Sequence, residues 1–253
     1  MDKLIFNAAN LLAQQAVNRQ MLTNELANLS STGFKTSFSA TLQSVKAEGQ
    51  GFDTRFQART VERDFINLKA GSLIVTGNPL DISMQDATVM GVQAPSGELA
   101  FTRRGDLRVN ANGVLETGSG EIVRGEDGPI TMPLGFEYTI QQDGSIYARN
   151  PAQTGPQTGE QIGKLLLRDA SNTQLRRRQD GLFAVDGRPL GTDIPGTEKA
   201  PSVISQAIEG SNVSAIESMT KMIDHARTFE SQIRIIKEAK DLDGSGATMM
   251  RHS

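Results

Sequence analysis

The chain has no cysteine, no tryptophan and only two histidines, and aromatic residues make up just 5% of it. Disulfides and thiol chemistry are therefore excluded, and any core must be built from Leu, Ile, Val and Met. Long hydrophobic runs are missing as well: nothing approaches the about 18 consecutive apolar residues that a membrane span needs. The opening Met1-Asp2-Lys3-Leu4-Ile5-Phe6-Asn7 meets polar residues too soon for a secretory signal, so any export is expected to use no cleavable leader. There is also no dominant charge of one sign. The 26 basic and 29 acidic residues are interspersed and give a net charge of −3, which excludes the electrostatic footprint of a nucleic-acid binder. Arg176-Arg177-Arg178 is the one basic run, and beside a turn it reads as a strand end.

Catalytic signatures are equally sparse. No Gly-x-Ser-x-Gly elbow and no phosphate-cradling glycine loop appears. His225 and His252 have no second His or Cys at ligand spacing. The segment Asp241-Leu242-Asp243-Gly244 starts like a calcium loop, but its glycine is misplaced and no closing glutamate follows. No enzyme, metal or cofactor is expected.

What is present is a contrast between ends and middle. In the first arm Ile5, Ala8, Leu12, Leu22, Leu26 and Leu29 recur at helical spacing, interrupted by Gln15 and Arg19. Gly33 is placed to close this helix in the left-handed conformation, with Phe34 folding back on the last turn. Near the other end, Ser214 and Glu217 stand at capping-box spacing. Ile216, Met219, Ile223, Ala226, Phe229, Ile233 and Ile236 then follow at steps of three and four, a coiled-coil seam. Burying one such seam falls short of the entropy lost in ordering the backbone, so each arm needs a partner. The free arms are expected to be largely disordered.

The middle changes period. Leu73-Ile74-Val75 leads into Thr76-Gly77-Asn78-Pro79, and Leu80, Ile82 and Met84 alternate as a strand does. Asn112-Gly113, Asp143-Gly144 and Asp180-Gly181, each flanked by apolar residues, mark hairpins. The reading is an α+β chain: helical arms around a central antiparallel sandwich or barrel. Its divisions are an N-terminal arm (1–36), a loop or extended linker arm (37–67) with a helix left open around Phe38 to Val45, a β domain (68–194), a linker (195–210), and a C-terminal arm and tail (211–253).

One family is matched by motifs in order along nearly the whole chain. The run Leu22-Thr23-Asn24-Glu25-Leu26-Ala27-Asn28-Leu29, followed by Thr32-Gly33-Phe34-Lys35, resembles the N-terminal signature of the bacterial flagellar rod and hook family, with Glu25 replacing an asparagine. Thr76-Gly77-Asn78-Pro79-Leu80-Asp81, Phe101-Thr102-Arg103-Arg104-Gly105 and Glu209-Gly210-Ser211-Asn212-Val213 resemble three further signatures, and Thr88-Val89 departs from the usual Gly-aromatic pair. The start Met1-Asp2-Lys3-Leu4-Ile5 and the run Ala226-Arg227-Thr228-Phe229-Glu230 resemble the proximal-rod members, of F type.

The resemblance implies a structural subunit in a helical oligomer, crossing the periplasm within the basal body and transmitting torque. The arms would form a coiled-coil-like inner layer around the export channel. Its partners would be proximal and distal rod subunits and the flagellar type III export apparatus, with no nucleic acid and no direct membrane insertion. The interface residues would be Leu22, Leu26, Leu29, Gly33 and Phe34, with Ile216, Met219, Ile223, Phe229, Ile233 and Ile236. Two alternatives stay open: a distal rod or hook subunit, and a glycan-binding or glycan-cleaving β domain, which would need two converging carboxylates.

Overall fold

The computed structural model describes residues 2–38, 42–46, 56–60, 65–152 and 159–251. The expectations for His252, for much of the 37–67 arm and for the side chains of Ile5 and Ala8 fall outside what is described. Among the described residues two helices, α1 (Asp2–Ala27) and α2 (Ala215–Arg251), come before and after a succession of short strands. In chain order the first ten are β1 (Ser37–Phe38), β2 (Leu42–Lys46), β3 (Phe56–Thr60), β4 (Phe65–Ile66), β5 (Leu73–Val75), β6 (Ile82–Met84), β7 (Thr88–Gln93), β8 (Leu99–Thr102), β9 (Leu107–Val109) and β10 (Leu115–Thr117). The next are β11 (Ile122–Gly125), β12 (Gly128–Pro129), β13 (Glu137–Ile140), β14 (Ser145–Arg149), β15 (Glu160–Lys164), β16 (Leu167–Asp169), β17 (Leu175–Arg177), β18 (Phe183–Val185), β19 (Val203–Ser205) and β20 (Ala207–Glu209).

The chain divides into two compact units. The larger, Asn28–Phe38 with Asp64–Val213, is all β. Its main sheet runs β1-β4-β17-β18-β8-β7-β11-β10-β9, with β12 beside β11 and β16 beside β7. A three-stranded sheet β13-β14-β15 and the ribbons β19-β6 and β20-β5 complete it. The hairpins expected at Asn112-Gly113, Asp143-Gly144 and Asp180-Gly181 form, with Leu115 opposite Val109, Ile146 opposite Ile140 and Phe183 opposite Arg177.

Strand β7 explains how one sheet carries two cores. Side chains alternate across a strand, so Met90 and Val92 join Ile82, Leu107, Leu115, Ile146 and Leu165 on one side. Val89 joins Phe101, Leu175 and Phe183 on the other. Thr88 and Val89 are both buried, so the pair that departs from the family pattern packs within the sheet.

Two stretches differ from expectation. Residues 203–209 were assigned to a linker, but β19 pairs with β6 and β20 with β5. Gln206 between them has φ +61, a left-handed step at which the chain passes from one partner strand to the other. In the region where a helix was left open, Ser37–Phe38 and Leu42–Lys46 are strands.

The smaller unit, Met1–Ala27, Ser39–Arg63 and Ser214–Ser253, holds α1, α2 and the antiparallel hairpin β2-β3. Helix α2 opens on Ser214, whose Oγ accepts a long 3.4 Å hydrogen bond from Glu217 N–H. The helix continues into the expected C-terminal tail, as far as Arg251. Once nucleated, a helix extends cheaply, one hydrogen bond per residue ordered.

Candidate functional site: an exposed helix stripe and a buried charge cluster

Within the smaller unit α1 packs along α2. On α2 the shielded positions are Ala215, Ser218, Met222, His225, Gln232, Ile236 and Ala239, a seam at heptad spacing. Met222, His225 and Phe229 line a groove of about 410 Å³ opposite Leu12, Gln15 and Arg19 of α1, which shows that this seam is the one facing α1. The apolar stripe read from the sequence lies one residue further on. Ile216 is 81% exposed, Met219 56% and Ile223 54%, and Ile233 is also exposed. Phe229 sits at the margin of both stripes, and Ile236 is half-buried. A pair of helices covers one stripe on each member, so a second apolar stripe on α2 is left without a cover in the isolated chain.

The first-arm candidates are divided. Leu22 is buried, Leu26 half-buried and Leu29 exposed. Gly33 and Phe34 belong to the β unit and are engaged inside it. Gly33 has φ +67, and a Cβ there would lie 2.3 Å from the Arg103 carbonyl oxygen, so only glycine fits. The Phe34 ring stacks on the Arg177 guanidinium, 4.3 Å from its centroid. Arg177 also donates to the Lys35 carbonyl, and Arg178 pairs with Glu98 and Asp180, so the basic run is largely absorbed within the chain.

Beside Gly33 lies a heavily bonded group of buried charges. Lys35 and Arg103 are fully buried, and both reach one carboxylate, that of Glu209. Lys35 Nζ donates to Glu209 Oε1 at 2.6 Å and to the Lys69 carbonyl at 2.8 Å. Arg103 Nε donates to Glu209 Oε2 at 2.7 Å, and its Nη atoms donate to the carbonyls of Met84, Asp86 and Thr88. The Gly71 amide donates to Glu209 Oε1 at 2.9 Å, and the Gly33 amide to the Glu209 carbonyl at 2.7 Å. Burial, and then repulsion by Arg103, holds the Lys35 ammonium down to about 8, against the pull of Glu209. Next to the cluster Asn212 accepts from Thr36 N–H at 2.7 Å and donates to the Asn67 carbonyl at 2.9 Å, tying the segments around residues 36, 67 and 212 together. Three of the quoted signatures, around Lys35, Arg103 and Glu209, thus meet in a single cluster.

A polar groove of about 400 Å³ in the β unit is lined by Glu126, Asp143, Asp169 and Asp193 among others. Acid catalysis on glycans needs a carboxyl held protonated. Ser145 instead lowers the Asp143 pKa through its hydroxyl and amide. Burial pushes Asp169 up, but Ser171 and Thr197 outweigh it and leave the group lowered. Among the described residues no group of three His, Cys, Asp or Glu is arranged to hold a metal ion.

Comparison with known proteins decides the family. The chain is 36% identical to the flagellar basal-body rod protein FlgF of Salmonella typhimurium, over all of both chains. It is 35% identical, again end to end, to FlgF of Escherichia coli. The chain belongs to the FlgF family of flagellar basal-body rod proteins. The rod protein FlgG of Caulobacter vibrioides is more distant, 28% identical over 93% of this chain and 94% of its own. Two family profiles agree: "Flagellar hook protein FlgE/F/G D1 domain" matches residues 89–148, and "Flagellar basal body rod FlgEFG protein C-terminal" matches residues 204–249. As an FlgF-family member the chain is a structural subunit of the basal-body rod, not an enzyme, and its place is the flagellar basal body among other rod and hook components. The C-terminal match begins at β19 and runs along α2, so it takes in both Glu209 and the exposed stripe.

Sequence reasoning missed Lys35, Arg103 and Glu209 as a unit. The one available signal was that each stands inside a signature motif, which does not reveal that the motifs meet.

Proposed function

We propose that the chain is a proximal-rod subunit whose terminal helices form a coiled-coil-like inner layer lining the export channel. Neighbouring rod subunits cover the stripe Ile216, Met219, Ile223, Phe229 and Ile233, with Ile236 at its edge; in the first arm the half-buried Leu26 of α1 and the exposed Leu29 just beyond its end extend the contact, with Leu22 buried in the subunit itself. Gly33 and Phe34, the remaining sequence candidates, support the interface indirectly by shaping the turn after α1. The arrangement transmits torque by rigid interlocking. Delivery by the flagellar type III apparatus, without a cleavable signal, belongs to the same reading, as does a rod segment lying in the periplasm. No described helix is long and apolar enough to cross a membrane. The observation that carries the proposal is the offset of α2's apolar stripe from the seam that faces α1.

The test is Ile223→Asp in cells lacking the native copy. Swimming and rod assembly are expected to be lost while the purified variant keeps its β unit folded. Normal swimming would overturn the assignment of the stripe. A distal-rod or hook role is the second reading, favoured by the FlgG similarity. Spontaneous growth of the purified protein into long filaments would select it.

A further inference from the structure

The charge cluster is unequal: it holds two buried cations and one carboxylate. Two buried cations share Glu209, the one carboxylate paired with either of them among the described residues. Arg103 belongs to the β body, Glu209 to the C-terminal strand β20, and Lys35 to the N-terminal segment, 174 residues from Glu209. If β20 docks alone, Glu209 meets Arg103 and the charges balance. If the N-terminal segment docks alone, Lys35 is buried beside Arg103 with no anion present. An uncompensated buried charge is the costly case, whereas a paired one is near neutral. The carbonyl oxygens of Lys69, Met84 and Thr88 do not supply the missing negative charge.

We propose that Glu209 is an interlock: the N-terminal segment Asn28–Phe38 docks on the β body only after the C-terminal strand Ala207–Glu209 has brought in its carboxylate. The inference goes beyond the rod assignment and holds wherever in the rod the subunit sits. Because synthesis proceeds from the N-terminus, the early segment stays undocked until residue 209 is available, so the end that leads into α1 is fixed last. The depressed ammonium of Lys35 fits this arrangement, since Arg103 is among its causes.

Hydrogen exchange on the full-length protein tests the interlock at two amides. Asn67 N–H donates to the Thr36 carbonyl and reports docking of the N-terminal segment. Gly210 N–H donates to the Ser72 carbonyl and reports docking of the C-terminal strand. Val92 in β7 serves as the control for the β body. Glu209→Gln is expected to speed exchange at Asn67 by about tenfold or more. Adding Lys35→Met to that variant removes one of the two unbalanced cations and recovers most of the protection. Lys35→Met alone leaves Asn67 as protected as in the parent, because Glu209 and Arg103 remain balanced. Gly33→Val, which forces the N-terminal segment off Arg103, exposes Asn67 while Gly210 stays within about threefold of the parent.

An Asn67 amide unmoved by Glu209→Gln would overturn the proposal. So would failure of Lys35→Met to rescue, or equal exposure of Gly210 and Asn67 in Gly33→Val. If Glu209→Gln does not fold, the double variant decides: refolding supports the interlock, and continued unfolding refutes it.

Discussion

On β7 every residue from Thr88 to Val92 is shielded from solvent, whereas on α2 Ile216, Met219 and Ile223 are each more than half exposed. Both segments are rich in apolar side chains at the period of their own secondary structure. The difference lies in what covers them. The sheet carries a core on each face, so alternation sends every side chain of β7 under cover. A helix in a two-helix pair has one covered stripe, and α2 carries residues for two. The β unit therefore completes its core within one chain, and the helix pair leaves one apolar stripe of α2 exposed.

The comparison breaks or sharpens at specific positions. The largest effect is expected from Phe101→Ala, which empties a fully buried site and should lower stability by about 3–5 kcal/mol in urea denaturation. The matching Phe229→Ala on α2 should cost less than about 1 kcal/mol, and equal losses would erase the contrast. Next comes Gly105→Ala. Its Cβ would lie 1.7 Å from the Ile82 carbonyl oxygen, so a loss of about 1–3 kcal/mol is expected, confined to the β unit.

A pH effect should follow from Lys35, with Arg103 and Glu209 as its charged neighbours. Its folded pKa of about 8 lies below the ordinary lysine value of 10.5, so between these limits the unfolded chain holds a proton that the folded chain has released. Stability therefore rises with pH across that window, and the gain fades as pH falls through 8. Denaturation midpoints at a series of pH values should show the rise, and Lys35→Met should abolish it. The smallest change in stability is expected at Ile223→Asp, within about 1 kcal/mol in the isolated subunit. A large loss there would mean that the stripe is internal.

Legibility follows the range of the interaction. The hairpins at Asn112-Gly113, Asp143-Gly144 and Asp180-Gly181 were readable because a tight turn is decided by its own two residues. The left-handed backbone of Gly33 was readable too, but the expected helix cap does not form: α1 ends at Ala27, the Gly33 amide donates to the Glu209 carbonyl, and Phe34 stacks on Arg177 instead of the last turn. Strands β19 and β20 were not: they are three residues each, and their partners lie over a hundred residues earlier. On α2 the heptad period was readable, but which stripe faces α1 was not. The seam against α1 uses Ala215, Ser218, His225 and Gln232, so counting apolar residues leads to the neighbouring stripe, which the fold leaves open.

The sequence by itself determined the two helices' periodicity, the antiparallel turns of the middle and, through its motifs, the rod family, because each rests on residues close together in the chain. Only the tertiary structure decided that Lys35, Arg103 and Glu209 share one buried site and that α2 keeps its apolar stripe uncovered. A charged side chain in a sequence looks like a surface residue until its counter-ion is located, and an apolar one looks like core until its cover is. Both are facts about distant parts of the chain, which folding alone brings together.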